Sequence, residues 1–200
     1  VQHGLCVTIG TGIGAALLVN GEVYAGARGA AGEIGYSLIG ALGPIARASG
    51  YGPLEAFAAG PGIARRYVEQ WKEAMSPAAA ATDSLNVDDI TARSVALAAR
   101  RGDKLAVRIW HETADAVGVA LANACLLLDP EVVVLGGGVA RAPEELFLER
   151  VRHVVETMVP YPPQVVTSEL GDKAGILGAV AIALDARRNS ISYVTSEVGV

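Results

Sequence analysis

The sequence predicts an α/β fold, an open mixed sheet with helices packed against it. Three observations predict it. Val7–Tyr24 contains two apolar runs joined by a glycine-rich turn, and Asn20-Gly21 follows as a two-residue hairpin signal, because both residue types tolerate positive φ. Glu131–Leu135 contains a β-branched run of the kind found in central strands, set between a long helical pattern and three glycines. A further helix, strand and helix follow, and strands interleaved with helices in this order pack as helices on a sheet.

Taken in order, residues 5–9, 14–19 and 22–26 read as three strands. Residues 27–52 are rich in Gly, Ala and Pro without a sustained period and read as a long loop. Pro53 opens a helix to Ala58, since proline is tolerated in a first turn. Gly60-Pro61-Gly62 interrupts, and a second helix runs from Gly62 to Ala74. Ser76–Ser84 is an Ala-rich linker. Asn86 or Asp88 caps a helix ending at Gly102. Asp103–Leu128 is a long helix, apolar on several faces and therefore buried, stopped by Asp129-Pro130. Ala142-Pro143-Glu144-Glu145 opens a helix to Met158, a strand covers 164–168, and Lys173–Arg187 forms the last helix. The tail from Asn189 alternates apolar residues and reads as an edge strand or a mobile end.

Composition narrows the function. The chain has 200 residues, 24 of them glycine, and a net charge of -5, with its Arg pairs scattered rather than striped. This excludes a basic nucleic-acid surface on this segment. No apolar run spans a membrane and no signal peptide is present, which points to the cytoplasm. Cys6 and Cys125 lie in apolar contexts and read as buried free thiols. The chain begins at Val1 without an initiator Met and reads as a fragment of a longer protein.

The glycine clusters are the candidate site. Gly10-Thr11-Gly12-Ile13-Gly14-Ala15 matches a dinucleotide fingerprint in form, but that fingerprint requires a helix after the turn and here a hairpin follows. A Gly-Thr-Gly turn between antiparallel strands still suits phosphate, because glycines let N–H groups approach an anion and Thr11 adds a hydroxyl donor. A turn that needs glycine only for its dihedrals is an equally good reading. Gly136-Gly137-Gly138 ends the central strand, where open α/β sheets place ligands, and favours a close-approach site over a simple turn.

Three motifs occur in order: Thr8–Gly14, Gly29-Ala30-Ala31-Gly32-Glu33-Ile34-Gly35, and Leu128–Val139. Together they resemble the ROK family (repressors, open reading frames and sugar kinases) from about Leu5 to Ala186. The resemblance implies an actin/hexokinase-like (ribonuclease H-like) ATPase fold of two lobes. Residues 1–200 then form the C-terminal lobe, with 27–130 as the sugar-side insertion and the N-terminal lobe absent. It further implies ATP with Mg²⁺ as cofactor, held by Gly10, Thr11 and Gly12 at the phosphates and by Gly136, Gly137 and Gly138 beside adenosine. Glu33 and Glu55 match sugar-binding carboxylates, a task that suits an ionised oxygen pair facing adjacent hydroxyls. Read from position alone, Glu33 is a loop acid and Glu55 a first-turn acid favoured by the helix dipole. A homodimer is the assembly common among relatives.

The sequence also departs from the family pattern. Tyr36 replaces a histidine that binds sugar and a structural zinc, and Ala46, Ala48 and Pro53 replace the three zinc cysteines. His3, His111 and His153 are dispersed, so no zinc is expected. Tyr36 contacts sugar through its hydroxyl or is a packing replacement, two readings of equal weight. The family's catalytic aspartate precedes the Gly-Thr-Gly loop and has no counterpart here. The Asp88-Asp89 and Glu144-Glu145 pairs sit at helix starts, so no general base is assigned within this chain.

Two functions compete. One is the nucleotide- and sugar-holding lobe of an ATP-dependent sugar kinase, which an intact Gly-Thr-Gly loop favours. The other is the effector domain of a sugar-responsive ROK transcriptional regulator, with which loss of the histidine and zinc ligands is compatible. A catalytically inert protein that keeps only the fold is a weaker third.

Overall fold

A computed structural model describes residues 1–38, 50–74 and 89–189. The chain forms two compact units, Val1–Ser168 and Glu169–Val200. The first contains a five-stranded sheet. β1 (Gly4–Ile9), β2 (Ile13–Val19) and β3 (Glu22–Tyr24) form an antiparallel meander. Asn20 and Gly21 take φ of 53° and 79°, the doubly left-handed turn that their identities predict. β4 (Val132–Gly136) and β5 (Gln164–Thr167) add in parallel on the other side of β1, giving the order β3-β2-β1-β4-β5.

Among the described residues, the helices of this unit are α1 (Pro53–Ala58), α2 (Gly60–Ala74), α3 (Ala92–Arg100), α4 (Lys104–Leu128), α5 (Gly137–Ala140) and α6 (Leu148–Met158). Their apolar faces and the inward sheet residues Leu5, Val7, Ile9, Val133, Leu135 and Val165 make one core. Trp110 of α4 is 1% exposed and meets the buried Phe147 edge-on, with centroids 6.2 Å apart and planes at 80°. Burying one such aromatic contributes about 1.5–3 kcal/mol. Asp103 caps α4, accepting from the N–H groups of Leu105 at 2.8 Å and Ala106 at 3.1 Å, and also accepts the Tyr67 hydroxyl at 2.6 Å. Burial first, and then this contact, push the Tyr67 hydroxyl up to about 12.

Several expectations are corrected. Cys6 is exposed, because its side chain alternates with Leu5 and Val7 onto the opposite face of β1, whereas Cys125 is buried and its thiol is pushed up to about 11 by that burial. α4 is buried along most of its length, but Leu126, Leu127 and Leu128 at its end are exposed. α3 starts at Ala92 behind a capping box in which Thr91 and Ser94 exchange backbone N–H groups. The alternative caps Asn86 and Asp88 lie outside the described residues, as do the 76–84 linker and the tail beyond Asn189. The single helix expected from Ala142 to Met158 is a 3₁₀ turn, Glu144–Leu146, then a break at Phe147, then α6. Phe147 takes φ -131°, ψ -66°, and its ring is fully buried, so core packing overrides helical continuity. Three glycines notwithstanding, Gly137 begins a short helix.

β5 is an edge strand. Ser168 N–H donates to the Leu135 carbonyl at 2.8 Å, so by the two-residue alternation Val165 points its backbone away from β4. The Val165 carbonyl accepts Arg152 Nε at 2.8 Å, and the same guanidinium pairs with Glu144 at 2.5 Å. In the second unit a 3₁₀ turn, Gly171–Lys173, leads into α7 (Ala174–Asn189). Among the described residues, no helix is long and apolar enough to cross a membrane.

Candidate functional site

The Gly-Thr-Gly turn connects β1 to β2 and is closed on itself by Gly10 N–H donating to the Gly12 carbonyl at 2.9 Å. It is also held from outside at two points. Gly60 N–H donates to the Gly10 carbonyl at 2.8 Å, and Ile13 N–H donates to Glu55 Oε2 at 2.7 Å. Glu55 lies in the first turn of α1, and Gly60 follows that helix's last residue by two positions. The first turn of α1 and the first residue of α2 therefore grip the two sides of the turn. A β-carbon at Gly12 would lie 2.5 Å from Glu55 Oε2, so the carboxylate fills the space a side chain at 12 would need.

α1 is in turn braced by α2. Arg65 donates to the Ala56 carbonyl at 3.0 Å, and the Arg66 guanidinium stacks 3.7 Å above the Phe57 ring. Arg66 is only 6% exposed. It pairs with Glu112 at 3.0 Å and donates to the Ile109 carbonyl and the Thr113 hydroxyl. Burial pushes this guanidinium down to about 10, opposed by Glu112.

The segment after β3 returns to the same place. Beyond Tyr24 the edge of β2 is taken over by Gly32, whose carbonyl accepts Ala15 N–H at 2.7 Å. Gly32 has φ +93°, and a β-carbon there would overlap the Ala15 carbonyl, so no other residue fits. Gly35 is buried, with its would-be β-carbon 2.5 Å from the Ile13 carbonyl and 3.3 Å from Glu55 Cβ. Glu33 and Tyr36 flank these contacts with exposed side chains, Tyr36 being 61% exposed. The fold thus gathers the Glu33–Tyr36 segment, Glu55 and the glycine turn beside the start of β2. Of the sequence-predicted sugar-side residues Glu33, Tyr36 and Glu55, Glu55 is the one that meets the turn, beside Gly12.

Gly136 stands opposite Thr8 across the parallel β1–β4 pair, so the triple glycine and the Gly-Thr-Gly turn are neighbouring strand ends. Their glycines do different work. Gly137 has φ +89°, and a β-carbon there would overlap the Ile9 carbonyl. Among the described residues, an added β-carbon would meet nothing within 4 Å at the exposed Gly138 or at Gly10. Gly10, Gly138 and the exposed Thr11 leave backbone and a hydroxyl accessible at the two strand ends, and accessible backbone N–H groups suit an anion. Among the described residues, no three His, Cys, Asp or Glu side chains gather to hold a metal. Mg²⁺ commonly binds through substrate phosphates and water, so this donor set does not conflict with it. At the expected zinc positions, Pro53 is a buried first-turn residue of α1, and Ala46 and Ala48 lie outside the described residues.

The sequence reading missed the Ile13 N–H, Gly35 and Gly60. The local signals were the Gly29–Gly35 motif, which contains Gly35 without saying what it packs on, and the Gly60-Pro61-Gly62 interruption, which marks a corner but not what the corner touches.

The ROK family model matches residues 1–186. Over 184 residues the chain is 33% identical to a glucokinase of Thermotoga maritima, covering 90% of this chain and 58% of that one. It is 28% identical to a xylose repressor of Caldicellulosiruptor bescii, covering 92% of this chain and 46% of the repressor. Among solved structures, a ROK family glucokinase from Streptomyces griseus in complex with glucose and AMPPNP superposes with a TM-score of 0.74 at 28% identity, covering 92% of this chain and 61% of that one. The chain spans roughly half to three-fifths of the length of these relatives. A family model that takes in nearly the whole chain, on a sheet whose glycine-rich strand ends lie side by side, identifies the chain as a member of the ROK family.

Proposed function

We propose that this chain is the sugar- and ATP-binding lobe of an ATP-dependent kinase acting on a hexose-type sugar. The observation that carries the reading is the Gly10–Gly12 turn, gripped from behind by Glu55 and Gly60 and open in front at Gly10 and Thr11. A domain that only sensed sugar has no need of such a turn. In this reading the turn holds phosphates, Gly136–Gly138 face adenosine, and Glu33, Glu55 and Tyr36 accept or donate hydrogen bonds at sugar hydroxyls. Bound ATP would supply the transferable phosphoryl group, and Mg²⁺ would neutralise its charge. This chain's part is positioning, and none of its residues is assigned as the base. The glucokinase names among its relatives support the reading.

A second reading is the effector-binding domain of a sugar-responsive regulator. Tyr36, in place of the family's histidine, and the similarity to a xylose repressor favour it. One experiment separates the two. The polypeptide carrying this chain is tested for sugar-dependent ADP formation with a hexose panel, and for sugar-dependent DNA retention. ADP formation with an indifferent DNA assay is the expected result, and sugar-dependent DNA binding without ADP would overturn the kinase reading. In either case Glu33→Gln should weaken sugar binding about tenfold, as for loss of a charge-assisted hydrogen bond. Unchanged affinity by calorimetry removes Glu33 from the site.

A further inference from the structure

We infer that Glu55 is a shared residue: it positions the phosphate turn through the Ile13 N–H and so couples the sugar side of the site to the nucleotide side. The effect on nucleotide rests on the sugar- and ATP-binding reading above, whereas the grip on the turn stands on geometry alone. Four contacts carry it. Glu55 Oε2 accepts Ile13 N–H at 2.7 Å, on the residue that leaves the turn. Among the described residues, the space beside Gly12 is filled within 4 Å by that carboxylate alone. Gly35, in the segment that carries Glu33 and Tyr36, packs within 3.3 Å of Glu55 Cβ, measured from its would-be β-carbon. Gly60, the first residue of α2, fixes the far side of the turn, its N–H donating to the Gly10 carbonyl at 2.8 Å.

An ionised carboxylate has about four acceptor sites, so one backbone N–H leaves capacity for a sugar hydroxyl on the same group. A hydroxyl binding there draws on the charge that orients Ile13, and any shift of the carboxylate moves the turn. Arg65 and Arg66 brace α1 through the Ala56 carbonyl and the Phe57 ring, so the response to sugar is placed in the Glu55 side chain and not in its helix. Coupling of this kind is reciprocal: sugar changes nucleotide affinity by the factor by which nucleotide changes sugar affinity.

The test uses the polypeptide carrying this chain as wild type, Glu55→Gln and Glu55→Ala. Two quantities are read: exchange of the Ile13 amide by NMR, and affinity for a non-hydrolysable ATP analogue with and without glucose. In Glu55→Ala the Ile13 amide should exchange at least about tenfold faster, and sugar-free nucleotide affinity should fall about tenfold, the scale of one lost bond to a charged acceptor. Glu55→Gln keeps a carbonyl acceptor and should restore both to within about threefold of wild type. Equal Ile13 exchange in wild type and Glu55→Ala overturns the inference. So does a Glu55→Ala protein that loses Ile13 protection yet binds the analogue as tightly as wild type. A wild type that binds no analogue overturns the nucleotide reading instead, and the Ile13 amide then still decides the grip by itself.

Discussion

The carboxyl ends of β1 and β4 are neighbours, both are glycine-rich, and they are built on opposite logics. At the end of β1, Gly12 makes room for a side chain, the Glu55 carboxylate. At the end of β4, Gly137 makes room for backbone, the Ile9 carbonyl. A carboxylate can swing away, and a strand carbonyl cannot move without its ladder. The first end is therefore adjustable and the second fixed. Composition alone makes them look alike.

The sharpest way to break this contrast is Gly137→Ala. It forces a left-handed φ on a residue with a β-carbon and drives that carbon into β1, so about 3 kcal/mol of stability should be lost in a thermal or denaturant melt. A loss under about 1 kcal/mol would show that this end adjusts too. Gly12→Ala should cost less, about 1–2 kcal/mol, because the flexible carboxylate is displaced and one bond to a charged acceptor is lost. A cost equal to that of Gly137→Ala would erase the distinction. Gly138→Ala meets open space and should leave stability within about 0.5 kcal/mol. Nucleotide affinity measured on the same protein should fall about tenfold, or about 1.4 kcal/mol, if a base lies against it. Unchanged affinity would move the adenosine side elsewhere.

What the sequence made legible follows the range of each interaction. The Asn20-Gly21 hairpin, the Pro53 helix start and the Asp129-Pro130 stop are local, set by dihedral preference, and they appear where expected. The break at Phe147 was invisible because its cause is a ring packed against Trp110, distant in sequence. Cys6 was misread for a related reason: alternation assigns it a face, but only the packed structure says which face the helices cover. Glu55 was legible as a candidate, yet its partner is 42 residues away, and no local pattern encodes that contact. Gly32 and Gly35 stood inside a recognisable motif, while their reason, contact with the backbone of Ala15 and Ile13, emerges only when the segment returns along β2.

The Arg152 contact has a consequence for the solution behaviour of the protein. A sheet presents bare backbone at its margins, and such a margin is a template on which a foreign strand can add, the first step towards aggregation. Here β3 is three residues long and β5 four. The outward Val165 carbonyl is occupied by a guanidinium that Glu144 holds in place. An incoming strand would have to displace a cation from an ion pair to gain one ladder bond. Charge guards this margin, so high salt, which screens the pair, is the condition under which self-association should first become measurable.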